Sequence, residues 1–159
     1  MRLSRFFAWA LIGMAFVACD DDDEPTTPDE EYQVNLTGTA ERPNPVVTTA
    51  SGSAIVRVLS EDSIEFDLTV SDIDSATVAH FHAGDASSAG PIMTFVFSGP
   101  TTGLDFSGRL SSGFITRSST FSTVFTFDSL LTRIRAGTTY LNVHTRVNGP
   151  GEIRGQVSP

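Results

Sequence analysis

From Tyr32 onward, apolar and polar residues alternate in short segments that are separated by turn-forming residues. The alternation is clearest over residues 64–70, where apolar side chains take one face and polar ones the other: Ile64, Phe66, Leu68 and Val70 against Glu65, Asp67 and Thr69. Successive side chains of a strand point to opposite faces, so this pattern predicts a strand with one buried face. The Glu61-Asp62-Ser63 stretch before it predicts a hairpin turn.

The remaining segments predict further short strands and one short helix. We expect strands over residues 64–70 and also over 33–38, 53–59, 78–83, 92–97, 104–110, 121–127, 139–145 and 152–157. Residues 129–136 have apolar side chains at helical spacing, with Asp128 or Ser129 as the predicted N-cap and Gly137 as the predicted stop. Together these segments predict an all-β fold: an antiparallel β-sandwich or flattened Greek-key barrel of about eight to nine strands with one short helix.

The first nineteen residues have the layout of an export signal. Arg2 and Arg5 form a positively charged start, and residues 6–17 form an apolar run of twelve residues that is short for a membrane span. The run ends in Phe16-Val17-Ala18-Cys19, which resembles the lipobox of bacterial lipoproteins, whose cysteine is lipidated. We expect residues 1–19 to be a lipoprotein signal peptide with Cys19, the only cysteine, as the lipidated residue. The alternative is an ordinary signal peptide that happens to contain a cysteine.

An acidic segment follows this cysteine. Residues 20–31 contain eight acidic side chains, no basic one and no periodic apolar face. Such a segment repels itself and cannot bury apolar area, so we expect a disordered tether between the lipid and a folded domain over residues 32–159. These features predict a protein held by lipid chains at a membrane of the bacterial cell envelope, either in the periplasm or at the surface.

The chain has only three histidines, and two of them lie two residues apart on a predicted strand. His80 and His82 therefore share one face of that strand, and His144 lies on a second strand near the end of the chain. If the two strands are close, three imidazoles meet at one point and form a site for copper or another divalent metal, with one position left open. The alternative is that the histidines are structural and hydrogen-bond the backbone across the sheet.

Composition and motifs argue against several other functions. The formal net charge is −9 and no basic patch is apparent, which argues against binding to nucleic acid. The predicted domain has no cysteine and no Gly-x-Ser-x-Gly motif, and its paired carboxylates Glu65 and Asp67 lie on the predicted solvent face of a strand. We therefore identify no catalytic residue and expect a protein without enzymatic activity.

Four stretches resemble the CHRD domain family, which was first named from chordin and is also common in exported bacterial proteins. They are Leu36-Thr37-Gly38-Thr39-Ala40-Glu41, Ala79-His80-Phe81-His82-Ala83-Gly84, residues 134–145 with Asn142-Val143-His144-Thr145 at their end, and Gly151-Glu152-Ile153-Arg154-Gly155-Gln156. The resemblance implies a binding or scaffold module. An extracellular protein ligand is the implied partner, because chordin is an extracellular antagonist of growth factors. No catalytic residue comes with the family.

A second pattern resembles the copper half of the copper/zinc superoxide dismutases, which are also β-sandwiches. A His-x-His strand and a later strand that ends in Val-His occur in both, and by this pattern His80, His82 and His144 match three copper ligands. The histidine that bridges to zinc, the zinc ligands and the disulfide have no counterpart here. The resemblance therefore implies a copper-type site without implying dismutase activity.

Four further polar residues are expected to support the strands or the histidines rather than to bind a metal. Asp85 follows the His-x-His stretch and is placed to orient a ligating imidazole, although a loop aspartate needs no such role. Asn142 lies two residues before His144. Glu152 and Arg154 alternate to one face of the last strand, where they form either an ion pair that pins the strand or a charged recognition edge.

Overall fold

The computed structural model describes residues 30–159, in which seven strands form one sheet. The strands are β1 (Glu30–Thr37), β2 (Ser51–Ser60), β3 (Ser63–Ala83), β4 (Ile92–Ser98), β5 (Leu104–Thr116), β6 (Thr139–Thr145) and β7 (Ile153–Val157). A 3-10 turn, Gly38–Ala40, follows β1, and one helix, α1 (Phe127–Arg135), lies between β5 and β6 in the chain. No helix in this part of the chain is long and apolar enough to cross a membrane.

Five of the strands close into a barrel. β1 pairs with β2 and β7, β7 pairs with β6, β6 pairs with β3, and β3 returns to pair with β2, always antiparallel. β4 and β5 lie outside this ring as extra strands on the two halves of β3. The prediction of an all-β fold with one short helix is confirmed, and the sheet takes the barrel form.

β3 is the longest strand and runs through both sides of the barrel. Its first half pairs with β2 and β5, and its second half pairs with β6 and β4. Between the halves, Asp72 and Ser75 have φ angles of 54° and 55°, and the register with β5 shifts on either side of Ile73. The N–H groups of Asp72 and Ser75 nevertheless donate to Ser107 and Asp105 of β5. These irregularities therefore bend the strand without ending it.

Apolar side chains from alternate strand positions fill the barrel. Residues 64–70 show the predicted inner face, because Ile64, Phe66, Leu68 and Val70 are buried. On the opposite face, Glu65 and Asp67 are half-buried and pair with arginines of the neighbouring strands. Phe81 from the second half of β3 meets Phe66 edge to face at a centroid distance of 6.5 Å. One continuous core therefore lies against both halves of the strand.

Helix α1 begins two residues before the predicted start. Thr126 is the N-cap, and Thr126 and Ser129 each accept a hydrogen bond from the other's backbone N–H in a capping box. Gly137 follows the last turn with a φ of 65°, which confirms it as the stop. The helix packs on the core through four buried side chains: Phe127, Leu130, Leu131 and Ile134.

The structure has seven strands where the alternation predicted eight or nine. The predicted strands 64–70 and 78–83 are the two halves of β3, because the polar residues between them form a bend rather than a turn. The strand predicted over 121–127 is wrong. Phe121 makes a single bridge to Thr94, and the chain then turns into α1. The alternating phenylalanines of this segment pack on the core from a turn and from the helix start.

The first strand begins at Glu30, which lies inside the predicted tether. Glu30 and Glu31 pair with β2, so the expectation of disorder as far as residue 31 is wrong for these two residues. Arg135 Nε lies 2.8 Å from Glu30 and Arg57 Nε lies 2.7 Å from Glu31, and these ion pairs allow two acids to join an ordered strand. The predicted signal peptide, Cys19 and the rest of the acidic segment lie outside the described residues.

Candidate metal centre

The three histidines meet where the second half of β3 pairs with β6. In this antiparallel register His82 lies opposite Tyr140, His80 opposite Asn142, and Val78 opposite His144. The histidines lie on the face of the barrel wall that points away from the core. They are nevertheless buried, with exposed fractions of 3% for His80, 6% for His82 and 8% for His144.

Two loops cover this polar face of the barrel wall. The loop after β3 brings Gly90 to His82, and the loop between β6 and β7 brings Gly149 to His144. As a result every residue of β6 is buried, on the core face and on the histidine face alike. The loops therefore create a closed polar layer outside the apolar core.

The imidazole nitrogens are close enough to share one ion. One ring nitrogen from each histidine lies within 4.8 Å of the other two, and the cluster contains no carboxylate. His80 Nδ1 and His144 Nε2 lie 3.0 Å apart. Nitrogens bound to one zinc ion at about 2.0–2.1 Å lie roughly 3–4 Å apart, so small rotations of the rings would close the cluster on a metal.

Backbone carbonyls set the protonation of two of the rings. His82 Nδ1 lies 2.9 Å from the carbonyl oxygen of Gly90, and His144 Nδ1 lies 2.7 Å from that of Gly149. A carbonyl only accepts, so in both rings Nδ1 carries the proton and Nε2 keeps a free lone pair. His144 Nε2 then accepts a hydrogen bond from His80 Nδ1–H, so His80 Nε2 is unprotonated too. The Nε2 atoms of His80 and His82 are buried without a hydrogen-bond partner.

Burial keeps all three rings neutral. Desolvation lowers the pKa of His80 to about 3 and that of His82 to about 4, and it also lowers the pKa of His144. Charge repulsion from the neighbouring imidazoles lowers the His80 pKa further, while the hydrogen bond to Gly90 partly offsets desolvation at His82. Neutral imidazole is the form that binds a metal, so the rings are ready to act as ligands at neutral pH.

Aromatic rings and one cation flank the cluster. The Tyr140 ring stacks on His82 at a centroid distance of 4.8 Å and an interplanar angle of 12°. The guanidinium carbon of Arg154 lies 3.4 Å from the centroid of the Tyr140 ring. On the β4 side, the half-exposed Phe95 meets His80 edge to face at 4.4 Å. The cluster therefore lies between a buried cation–aromatic stack and a partly open aromatic wall.

Comparison with known proteins decides the family of the domain. The sequence-family model of the CHRD domain matches residues 32–157, which cover all three histidines and nearly every described strand residue. The chain belongs to the CHRD family. No curated protein and no solved structure matches the chain. The similarity of this CHRD domain to the copper half of superoxide dismutases therefore rests on the histidine pattern alone.

Asp85 of the CHRD domain does not orient a histidine. Its carboxylate accepts hydrogen bonds from Ser87 and Ser88 in its own loop, so the expectation that it contacts a ligating imidazole is wrong. The acceptors that reach imidazole nitrogens are loop carbonyls instead. The backbone carbonyl of Asp85 accepts a hydrogen bond of 2.6 Å from Arg154 Nη2. Asp85 thus shapes the loop that covers the site.

Glu152 and Arg154 of the CHRD domain do not form the expected ion pair. The Glu152 carboxylate accepts hydrogen bonds from Thr145 and Asn148 and so holds the connection between β6 and β7. Arg154 makes no ion pair within residues 30–159. Both side chains are buried, so they do not form an exposed recognition edge either. Asn142, also buried, lies between His80 of β3 and Arg154 of β7 in the strand register.

The sequence alone predicted no role for Tyr140 or Glu41, although both belong to the polar layer. The two-residue period of the strand could have indicated Tyr140, because Tyr140 lies two residues from Asn142 on the same strand face. Glu41 lies in a loop, where no periodicity applies. It is 3% exposed, and burial raises its pKa to about 7 although the charge of Arg154 acts in the opposite direction.

Proposed function

We propose that this CHRD-domain protein is a non-enzymatic binding module that holds one metal ion on His80, His82 and His144, with copper as the first candidate. The proposal rests on the set of buried, neutral ring nitrogens that face one another. Three neighbouring imidazoles, each with one unprotonated ring nitrogen, are suited to coordinate a cation that replaces the hydrogen bond between His80 and His144.

A purely structural role explains only part of this arrangement. Buried ring nitrogens of a structural histidine are expected to find hydrogen-bond partners. His82 and His144 each satisfy Nδ1 through a loop carbonyl, yet the Nε2 atoms of His80 and His82 have no partner. A metal ion supplies that partner, and the bonds to the carbonyls then fix the tautomer and orientation of the ligands.

The donor set favours copper over other metals. Imidazole nitrogen suits copper, zinc and nickel, and divalent copper binds a given nitrogen site most tightly among the divalent first-row metals. Three protein ligands also leave a position open, in contrast to structural zinc sites with four. The resemblance of the histidine pattern to the copper half of superoxide dismutases supports the same choice.

The N-terminal residues support export and lipid attachment at Cys19. A lipid anchor would hold the CHRD domain at a membrane of the bacterial cell envelope, with most of the acidic segment as a spacer between the two. The metal would then be bound outside the cytoplasm. The extracellular protein ligand that the resemblance to chordin implies stays a prediction.

Metal titration of the full chain, purified in detergent, tests the metal-binding proposal. Apo protein is titrated with Cu(II) and with Zn(II) against a competing chelator. We expect one equivalent of copper to bind, and each of the variants His80→Ala, His82→Ala and His144→Ala to lose it.

Asp67→Asn is the matched control for this titration. Its carboxylate lies on the first half of β3 and pairs with Arg109 of β5, away from the histidines, so this variant should bind copper like the unsubstituted chain. Copper binding that survives in all three histidine variants would place the metal elsewhere and return the histidines to a structural role.

A further inference from the structure

Arg154 is a buried positive charge beside the three-histidine cluster. Its side chain is 1% exposed and forms no ion pair within the described part of the chain. Nη2 donates to the Asp85 carbonyl, and Nη1 is buried without a partner. The guanidinium is therefore held by an aromatic face and a carbonyl dipole, and no carboxylate neutralises it directly.

The charge of Arg154 is close enough to act on a bound ion. The guanidinium lies 3.4 Å from the Tyr140 centroid, and the Tyr140 ring lies 4.8 Å from the His82 ring. Together the two spacings place the guanidinium within about 8 Å of the centre of the His82 ring, and so within about 11 Å of an ion bound to that ring. At this separation a unit charge in a medium of effective dielectric constant about 20 changes an equilibrium about tenfold.

The three proposed ligands carry no negative charge that could offset the positive charge of Arg154. The cluster consists of neutral imidazoles without a carboxylate, so a bound ion keeps its full charge in a buried site. Glu41 and Glu152 are the buried acids of the same layer. The pKa of Glu41 is about 7, which leaves it only partly ionised at neutral pH, and the Glu152 carboxylate is bound by Thr145 and Asn148 rather than by Arg154. A doubly charged ion is repelled by Arg154 twice as strongly as a singly charged one at the same position.

From this charge balance we propose that Arg154 makes the site selective for monovalent copper, so that Cu(I) binds more tightly than Cu(II). The inference rests on the proposed copper site and adds the charge state of the ion that the site prefers. It concerns binding alone and involves no electron transfer by the protein. Arg154 acts here through space, as a selectivity-determining residue that does not bind the metal.

Two competition titrations of the full chain in detergent at pH 8 measure the selectivity. Bicinchoninate competes for Cu(I) under anaerobic reducing conditions, and nitrilotriacetate competes for Cu(II) in air. The ratio of the two affinities is the quantity compared among variants. We expect a ratio in favour of Cu(I) that falls on the order of tenfold in Arg154→Gln and is preserved in Arg154→Lys, which keeps the charge.

The variant Glu41→Gln should change the ratio of the Cu(I) and Cu(II) affinities in the opposite direction to Arg154→Gln. At pH 8 the Glu41 carboxyl is ionised and offsets part of the Arg154 charge, so removing its negative charge should raise the preference for Cu(I). A mere disturbance of the fold does not move the two variants in opposite directions. If circular dichroism shows that Arg154→Gln does not fold, Glu41→Gln and Arg154→Lys provide the test.

The possible results separate this inference from the proposed function. Affinity ratios that stay unchanged in both Arg154→Gln and Glu41→Gln, or that move in the same direction, overturn the role of Arg154 and leave the copper site intact. A chain that binds Cu(II) more tightly than Cu(I) overturns it as well. A chain that binds neither ion overturns the proposed function itself.

Discussion

The Nδ1 atom of His80 lies 3.0 Å from the Nε2 atom of His144, although 64 residues separate them in the chain. The contact exists because β3 and β6 pair antiparallel and make the two histidines diagonal neighbours on one face of the sheet. Two imidazoles this close repel each other when both are protonated. The pair therefore favours neutral rings, which is the state that a metal requires.

Gly90 and Gly149 each provide a carbonyl to a histidine, but only Gly90 is crowded. A Cβ at Gly90 would overlap the backbone carbonyl of Ala83, whereas a Cβ at Gly149 meets nothing within 4 Å. We expect Gly90→Ala to displace the loop from His82 and to weaken copper binding roughly 10–100-fold, as is typical when the support of a ligand is lost. Gly149→Ala should bind copper normally. Equal affinities of the two variants would show that the Gly90 carbonyl does not support the site.

The neutral histidines should make the fold sensitive to acid. Their pKa values are lowered on folding, to about 3 for His80 and about 4 for His82, so the unfolded chain binds more protons below about pH 6.5. Their stabilising contribution is therefore complete above pH 6.5. It is lost as the pH falls toward the folded pKa values, by up to about 1.4 kcal/mol per pH unit for each histidine.

Glu41 should act in the opposite direction. The pKa of Glu41 is raised from 4.5 to about 7. Its contribution to the stability of the fold is therefore present below pH 4.5 and is lost as the pH rises through 7. The free energy of unfolding of apo protein, measured with urea from pH 7.5 to 4.5, should fall with acid because three histidines outweigh one acid. The fall should be steeper in Glu41→Gln and shallower in His82→Gln. A flat profile in the unsubstituted chain would contradict buried, neutral histidines.

Phe66 and Asp67 are neighbours in β3 with opposite environments. Phe66 is buried in the core, while Asp67 is half-buried and pairs with the exposed Arg109. Phe66→Ala should lower the free energy of unfolding by about 3–5 kcal/mol, and Asp67→Ala should change it by no more than roughly 0.5 kcal/mol. Chemical denaturation measures both. Similar losses in the two variants would be incompatible with the observed faces of the strand.

Lipidation of Cys19 has a direct biochemical test. A charged start, a short apolar run and small residues lead to the only cysteine of the chain. Globomycin, which inhibits the lipoprotein signal peptidase, or the substitution Cys19→Ala should leave an unprocessed precursor in cells. Mass spectrometry that finds cleavage at another position and an unmodified Cys19 would show an ordinary signal peptide instead.

The faces of the strands could be predicted from sequence because they follow the two-residue period. That period alone assigns Phe66 to the core and places His80 with His82 on one face. The continuity of β3 could not be predicted, since the polar residues around Asp72 have the composition of a turn. Pairing with β5, which is distant in sequence, keeps them in a strand together with the ends of β2 and β6.

The parts of the site that come from loops gave no signal in the sequence. The groups that orient His82 and His144 are backbone carbonyls, and every residue carries one. Near the helix, Phe121 and Phe125 alternate in the way that the buried residues of a strand do, and this alternation predicted a strand that does not form. The capping box between Thr126 and Ser129 starts a helix there instead.

X-ray absorption at the copper edge of the copper-loaded full chain tests the three-histidine site most directly. It counts the imidazole nitrogens bound to the metal in either oxidation state. The structure predicts three imidazole ligands in the unsubstituted chain and fewer in His144→Ala. A spectrum with one imidazole or none, or a spectrum that His144→Ala leaves unchanged, would contradict a shared site on His80, His82 and His144.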